Sequence, residues 1–144
     1  RKMFEIRIQI DFRIQMHDLV HESRDFFKHE RKGSFEIVDH VLIKRIAQTG
    51  KPVIISSGNA SIDELQEAVD VLRNNGCTQI CMLKCTAAYP AKKEDANLLT
   101  INDMIKRYNV VGGLSDHTLG IEVPIASVVL GGRIIEKHFK LTEN

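Results

Sequence analysis

From residue 33 onward the chain alternates short apolar runs with stretches whose apolar positions recur at helical spacing. Residues 37–47 place Val41, Leu42, Ile46 and Ala47 on one such stretch, and Thr49-Gly50 with Pro52 beyond predicts its exit. Pro52-Val-Ile-Ile-Ser-Ser predicts a buried strand closed by Gly58. Ser61 predicts a helix N-cap, because Glu64 three residues later can complete a capping box. The helix behind it presents Leu65, Ala68, Val69 and Leu72 on one face and ends at Asn74-Asn75-Gly76. The same unit recurs as a strand over 79–84, a helix over 98–108, a strand over 110–114, a helix over 121–130 and a last strand over 133–139. Strands separated by helices predict parallel βαβ units with right-handed crossovers, an α/β fold. With a short first strand over 32–36 the pattern holds five strands and four helices. That is too few for a closed eight-stranded barrel, which typically takes about 250 residues, and an open doubly wound sheet also fits the pattern.

The first 32 residues are of another kind. Phe4, Ile6, Ile8, Ile10, Phe12 and Ile14 alternate with Glu5, Arg7, Gln9, Asp11 and Arg13, which predicts a strand with one wet face, as in antiparallel sheets. Residues 17–32 are highly charged and read as helical, anchored by Leu19 and Phe26-Phe27. No chemistry is legible in this segment, and residues 1–32 stay unassigned beside a domain over 33–144.

Composition narrows the classes of function. With 43% hydrophobic and 27% charged residues the chain is an ordinary globular one, neither fibrous nor disordered. A net charge of +1, from 20 basic and 19 acidic residues, offers no global field for nucleic acid or anionic membrane. Apolar runs such as Val128-Val129-Leu130 fall far short of the roughly 18 residues of a transmembrane helix. No secretory signal is legible, and three cysteines, an odd number, suit a reduced cytoplasmic setting.

Candidate chemistry collects where parallel α/β folds bind ligands, at the carboxyl ends of the strands. In order these ends are Ser34 and Glu36, Ser56-Ser57-Gly58, Cys85-Thr86 leading to Tyr89-Pro90, Ser115-Asp116-His117-Thr118, and Glu136-Lys137-His138. Residues two apart share a strand face, so Ser115 can lie with His117 and Glu136 with His138. Two imidazoles from adjacent strands with oxygen neighbours suit a divalent metal such as manganese, iron or zinc. The hydroxyls of Ser34, Ser56 and Ser115 suit a phosphate, with Lys32 or Arg31 as counter-charge. A structural reading stands beside each of these. A strand-end histidine is more often a hydrogen-bonded structural residue, and strand-end serines are usually caps or turn formers. Cys81 and Cys85 read as small buried strand residues rather than metal ligands. Glu122, Lys92 and Lys93 read as solvated surface charges.

Four blocks of sequence are more specific. Gly50-Lys-Pro-Val-Ile-Ile-Ser-Ser-Gly, Leu83-Lys-Cys-Thr-Ala-Ala-Tyr-Pro-Ala, Gly113-Leu-Ser-Asp-His-Thr-Leu-Gly and Ile135-Glu-Lys-His-Phe resemble the sialic acid synthase family, in family order and spacing, across residues 33–144. The resemblance implies part of a TIM (β/α)8 barrel, about strands four to eight, in a family whose barrel is followed by a small antifreeze-like domain. It implies that His117 and His138 bind a divalent metal, usually manganese. Ser34, Ser56 and Ser115 would hold the phosphate of phosphoenolpyruvate, with Tyr89 lining that site. The family's phosphate lysine falls on Arg31, which keeps the charge. Lys84-Cys85-Thr86-Ala87-Ala88-Tyr89 is more similar to the pseudaminic acid branch than to sialic acid synthases, which tend to show His-Cys-Thr-Asn, and Ala87 departs from the usual Ser or Asn.

The implied reaction condenses phosphoenolpyruvate with an open-chain N-acetylated amino sugar and releases phosphate. The partners so implied are those two substrates and a second copy of the chain, since open sheet edges favour association. The family's acidic base and several of its lysines belong to strands one to three, which have no recognisable counterpart in this sequence. The chain therefore reads as a fragment of such a synthase, inactive alone. Two alternatives stay open: another phosphate-binding barrel enzyme, such as an aldolase, and a non-catalytic barrel remnant that associates with itself or a partner.

Overall fold

The computed structural model describes residues 4–9 and 36–139. Among them, β1 (Phe4–Gln9), β2 (Val53–Ser56), β3 (Ile80–Cys85), β4 (Val111–Asp116) and β5 (Ile134–Phe139) form one sheet in the order β1-β5-β4-β3-β2. β2 to β5 are all parallel and pair in chain order, as consecutive strands of a (β/α)8 barrel do. The expected antiparallel strand is present as β1, which lies along β5 with Phe4 opposite Phe139 and Gln9 opposite Ile134.

Four α-helices cross between the strands or lead into them: α1 (His40–Ala47), α2 (Ile62–Asn74), α3 (Thr100–Tyr108) and α4 (Glu122–Val129). The capping box of α2 forms as its sequence predicts. Glu64 N donates to Ser61 Oγ at 3.3 Å, and Ser61 N donates to Glu64 Oε2 at 2.7 Å, so each residue satisfies an amide the helix would leave orphaned. The first helix starts later than expected. Asp39 takes the N-cap, accepting from Leu42 N at 3.0 Å, and residues 36–38 form a 3-10 turn that buries Ile37.

This turn corrects the strand expected over 32–36 at Glu36. The Glu36 carbonyl accepts from Asp39 N at 3.1 Å, which closes the chain into a turn before the cap instead of extending it. Residues 32–35, the alternating pattern over 10–14 and the helix expected over 17–32 lie outside the described residues.

The sheet buries both faces. Toward the helices, Ile80 and Met82 pack with Leu65, Ala68, Val69 and Leu72 of α2 and with Met104 and Tyr108 of α3. On the opposite face Cys81, Leu83 and Ile134 form a smaller cluster with Ile54. β3 is therefore a near-continuous apolar run, as a parallel strand covered on two sides must be. The exposed end of α3 is held by Arg73, whose guanidinium donates to the Tyr108 and Asn109 carbonyls at 2.6 and 2.9 Å and satisfies acceptors left open at a helix C-terminus.

Gly112 and Gly113 in β4 allow this double packing. A Cβ on Gly113 would stand 2.5 Å from the Ile134 carbonyl oxygen and 2.5 Å from Leu83 Cδ2. A Cβ on Gly112 would first meet side-chain atoms, Cγ1 and Cδ1 of Ile105 at 2.6 and 2.8 Å and Cγ2 of Ile101 at 3.0 Å. Backbone cannot yield as a side-chain tip can, so Gly113→Ala is expected to destabilise the chain more than Gly112→Ala does. Overpacking of this kind costs about 1–3 kcal/mol or more. Urea unfolding of the two variants checks the order, and equal midpoints would contradict it.

Candidate active site

β2, β3, β4 and β5 deliver their carboxyl ends side by side, and the polar groups there sort onto two faces. Ser57, just past β2, ties β2 to β3: its amide donates to the Leu83 carbonyl at 2.8 Å and its hydroxyl accepts from Cys85 N at 3.2 Å. Ser56 turns to the other face, where its Oγ is buried and makes no hydrogen bond of ordinary geometry among the described residues. It lies instead against the Cys85 thiol. Ser115 is the register partner of Cys85 across β3 and β4, also borders that thiol, and donates to Glu136 Oε1 at 2.9 Å. Two hydroxyls thus flank one sulfur on the strand between them.

His117 sits just beyond this row. Its Nδ1 is 3.0 Å from the Thr86 carbonyl oxygen and 4.0 Å from Cys85 Sγ. A carbonyl can only accept, so this bond puts the proton on Nδ1 and leaves Nε2 as the lone-pair nitrogen. The His138 ring stacks on it with centroids 5.1 Å apart and planes at 30°. Tyr89, 65% exposed, forms the rim, its ring 4.2 Å from His117 and 5.8 Å from His138. Paired imidazoles with one tautomer fixed by a backbone acceptor are a donor set that suits a divalent metal. Among the described residues no group of three or more His, Cys, Asp or Glu side chains converges as a complete cage, so two imidazoles would leave further positions to oxygens from outside the protein.

The electrostatics of the row separate its two cysteines. Burial pushes the Cys81 thiol up to about 12, with the Glu136 carboxylate adding to the effect. Burial opposes ionisation of Cys85 as well, but the His117 side chain, the hydroxyl of Ser56, the charge on His117 and the hydroxyl of Ser115 together bring it below the usual thiol range. The interaction with Cys85 correspondingly raises His117, against its own burial. The two shifts are linked, since each group favours the charged form of the other.

Residues 17–144 match the NeuB family. This chain belongs to the NeuB family. Over 112 residues it is 49% identical to a pseudaminic acid synthase of Helicobacter pylori, covering 78% of this chain and 33% of that protein. The crystal structure of the N-acetylneuraminic acid (sialic acid) synthetase from Leptospira borgpetersenii, a citrate complex, is similar with a TM-score of 0.66 at 34% identity, over 71% of this chain and 35% of that one. The spore coat polysaccharide biosynthesis protein SpsE of Bacillus subtilis is similar with a TM-score of 0.70 at 36% identity, over 72% and 29%. The chain spans about a third of the length of the curated relatives it matches.

Of the residues the sequence nominated, the structure gathers Ser56, Ser115, Tyr89, His117 and His138 of this NeuB-family chain at one end of the sheet. Ser34 and Arg31 lie outside the described residues. Lys93 and Glu122 form an exposed ion pair at 3.0 Å, a surface role as expected. Cys85 is buried, as its place in a strand predicts, yet it lies at the centre of the polar row, which a reading as a small buried strand residue does not reveal. The Thr86 carbonyl could not be found from sequence at all, since a backbone acceptor has no residue signature. Asp116 and Lys137 had a signal that went unused: an acid and a base, each one residue before a histidine, on strands expected to be neighbours.

Because one thiol is held down and the other up, a small thiol reagent such as methyl methanethiosulfonate should modify Cys85 well before Cys81 at pH 8. Both residues are about equally buried, each 6% exposed, so the contrast reports ionisation. His117→Ala should slow the Cys85 reaction. Peptide mass spectrometry reads both rates, and Cys81 reacting first would refute the assignment.

Proposed function

We propose that this chain forms the metal- and phosphate-binding part of a synthase that condenses phosphoenolpyruvate with an N-acetylated amino sugar to give a nonulosonic acid and phosphate. The observation that carries the reading is the stacked His117–His138 pair at adjacent strand ends, with the Ser56 and Ser115 hydroxyls on the same side of the sheet. The Lys84-Cys85-Thr86-Ala87-Ala88-Tyr89 block and the 49% identity to a pseudaminic acid synthase support the pseudaminic branch.

In this reading Nε2 of His117 and the ring of His138 hold a divalent metal, manganese by family resemblance. When bound, it supplies Lewis-acid polarisation of the sugar aldehyde. The protein's own groups place the second substrate. Ser56 donates its otherwise unmatched hydroxyl to a phosphate oxygen, and Ser115 exchanges its bond to Glu136 for another, with Ser34 and Arg31 completing the set. Tyr89 covers the imidazole pair and shields it from water. The enol carbon of phosphoenolpyruvate forms the new bond to the aldehyde carbon, water adds at the adjacent cationic carbon, and phosphate departs.

Manganese titration by calorimetry tests the pair. His117→Ala and His138→Ala are each expected to weaken binding at least about tenfold, since outer-sphere changes alone cost roughly that much; unchanged affinity in both removes the metal assignment. Phosphoenolpyruvate should also protect Cys85 from the thiol reagent, because its phosphate would sit over that sulfur. A Cys85 rate indifferent to phosphoenolpyruvate counts against the phosphate site. These 144 residues on their own should bind without turning over, because the groups expected to orient the aldehyde belong to strands one to three by the resemblance. A misplacement of about 1 Å costs on the order of a hundredfold in rate. Phosphate release at an ordinary synthase rate by the chain alone would overturn that expectation.

A further inference from the structure

A second polar arrangement lies behind the imidazole pair, on the face of the sheet away from Ser115 and Glu136. Asp116 is almost fully buried. Its Oδ1 accepts from Thr118 N at 3.0 Å and from Thr118 Oγ1 at 2.8 Å, and its Oδ2 accepts from Lys137 Nζ in a tight ion pair. Lys137 Nζ also donates to the Thr118 carbonyl at 2.6 Å. Asp116 and Lys137 are register partners, and they are the last pair of the β4–β5 ladder, which runs from Gly113–Ile134. His117 and His138 each follow by one residue.

The two histidines therefore stand just past the last point at which backbone pairing between β4 and β5 fixes their spacing. Together with the pairing of His138 with Glu5 of β1, that last pair helps decide where they go. It is bridged on both faces, by Ser115 to Glu136 on the imidazole side and one residue later by Asp116 to Lys137 on the other. Strand register matters more than usual here, since a slip of one residue turns each side chain to the opposite face. On its far side His117 is held too: its carbonyl accepts from Ala91 N at 2.9 Å, in the loop that carries Tyr89. A buried carboxylate must be paired, but an ion pair of this kind often adds no stability over a well-packed apolar pair. Specific geometry is then the more economical account of its presence.

We infer that Asp116 and Lys137 are positioning residues, whose buried ion pair, closed by Thr118, sets the separation and facing of the His117 and His138 rings. The consequence for metal binding rests on the reading of those rings as ligands; the positioning itself does not. Two measurements on the whole chain keep the two apart. The first is the nuclear Overhauser contact between the His117 and His138 rings in metal-free protein. The second is the affinity and visible absorption spectrum of bound cobalt(II), which respond to ligand geometry. In the double variant Asp116→Leu/Lys137→Met, which replaces the pair with apolar groups, the ring contact should disappear. Cobalt should bind at least about tenfold more weakly with a changed spectrum, while urea unfolding shows a folded protein. A folded double variant with the ring contact and the cobalt spectrum intact overturns the inference. If that variant does not fold, Asp116→Asn decides by the same readouts, since it keeps an acceptor for Thr118 and removes only the ion pair. Should the parent chain bind no cobalt, the metal reading fails, and the ring contact alone still decides whether Asp116 and Lys137 position the histidines.

Discussion

Because β4 and β5 pair in parallel up to Asp116 and Lys137, His117, just past β4, and His138, still within β5, follow side by side and in the same direction. Every property of the candidate site depends on that pairing. It brings two imidazoles from positions 21 residues apart, as are their neighbours Ser115 and Glu136, into a stack at 5.1 Å. It lets one polar bridge form on each face, so neither strand can rotate without breaking a bond. A metal-binding pair needs this restraint more than a larger cage would, because two ligands define less geometry than four.

The thiol at the centre of the row shows how closely the two proposed binding functions would interact. Cys85 occupies the strand between Ser56 and Ser115, so a phosphate reached by both hydroxyls would lie over it. The same hydroxyls, with His117, hold that thiol low in the ligand-free chain. An anion there would draw the hydroxyl protons to itself and so compete with the sulfur for the same two donors.

Much of the architecture was legible because it rests on periodicity and caps. Ser61 with Glu64 marked the start of α2, and Leu65, Ala68, Val69 and Leu72 marked the face it buries. The alternation in residues 4–9 marked an antiparallel strand, which β1 is. Strand alternation also anticipated that Ser115 and His117 belong with Glu136 and His138. Less legible were features that depend on cross-strand register. Asp116 and Lys137 meet only because two strands distant in sequence align at that level, and the proton on His117 is fixed by a backbone carbonyl on a third. At Glu36 the β-like run Phe35-Glu36-Ile37-Val38 competes with the N-cap signal of Asp39, three residues later, and the cap prevails. For the ion pair and the His117 proton the deciding partner was a register or a backbone group, which residue type does not encode.

The floor of the site constrains its rim. Leu83 and Ile134 approach each other across Gly113, two residues below Ser115 on the same face, and both are almost fully buried. That approach exists because Gly113 has no side chain; a Cβ there would collide with one of them and with the backbone of the other. Gly113 is also the first residue of the β4–β5 ladder that ends at Asp116. If β4 were lifted from β5 at its start, the shift would be carried along a stiff strand to Ser115, Asp116 and His117, three residues each bonded to β5 or to the loop after β3. Close packing transmits such displacements instead of absorbing them. A glycine in the core of the sheet therefore bears on the candidate site at its edge, because a change in the spacing of the two strands at the bottom is carried to the two imidazoles at the top.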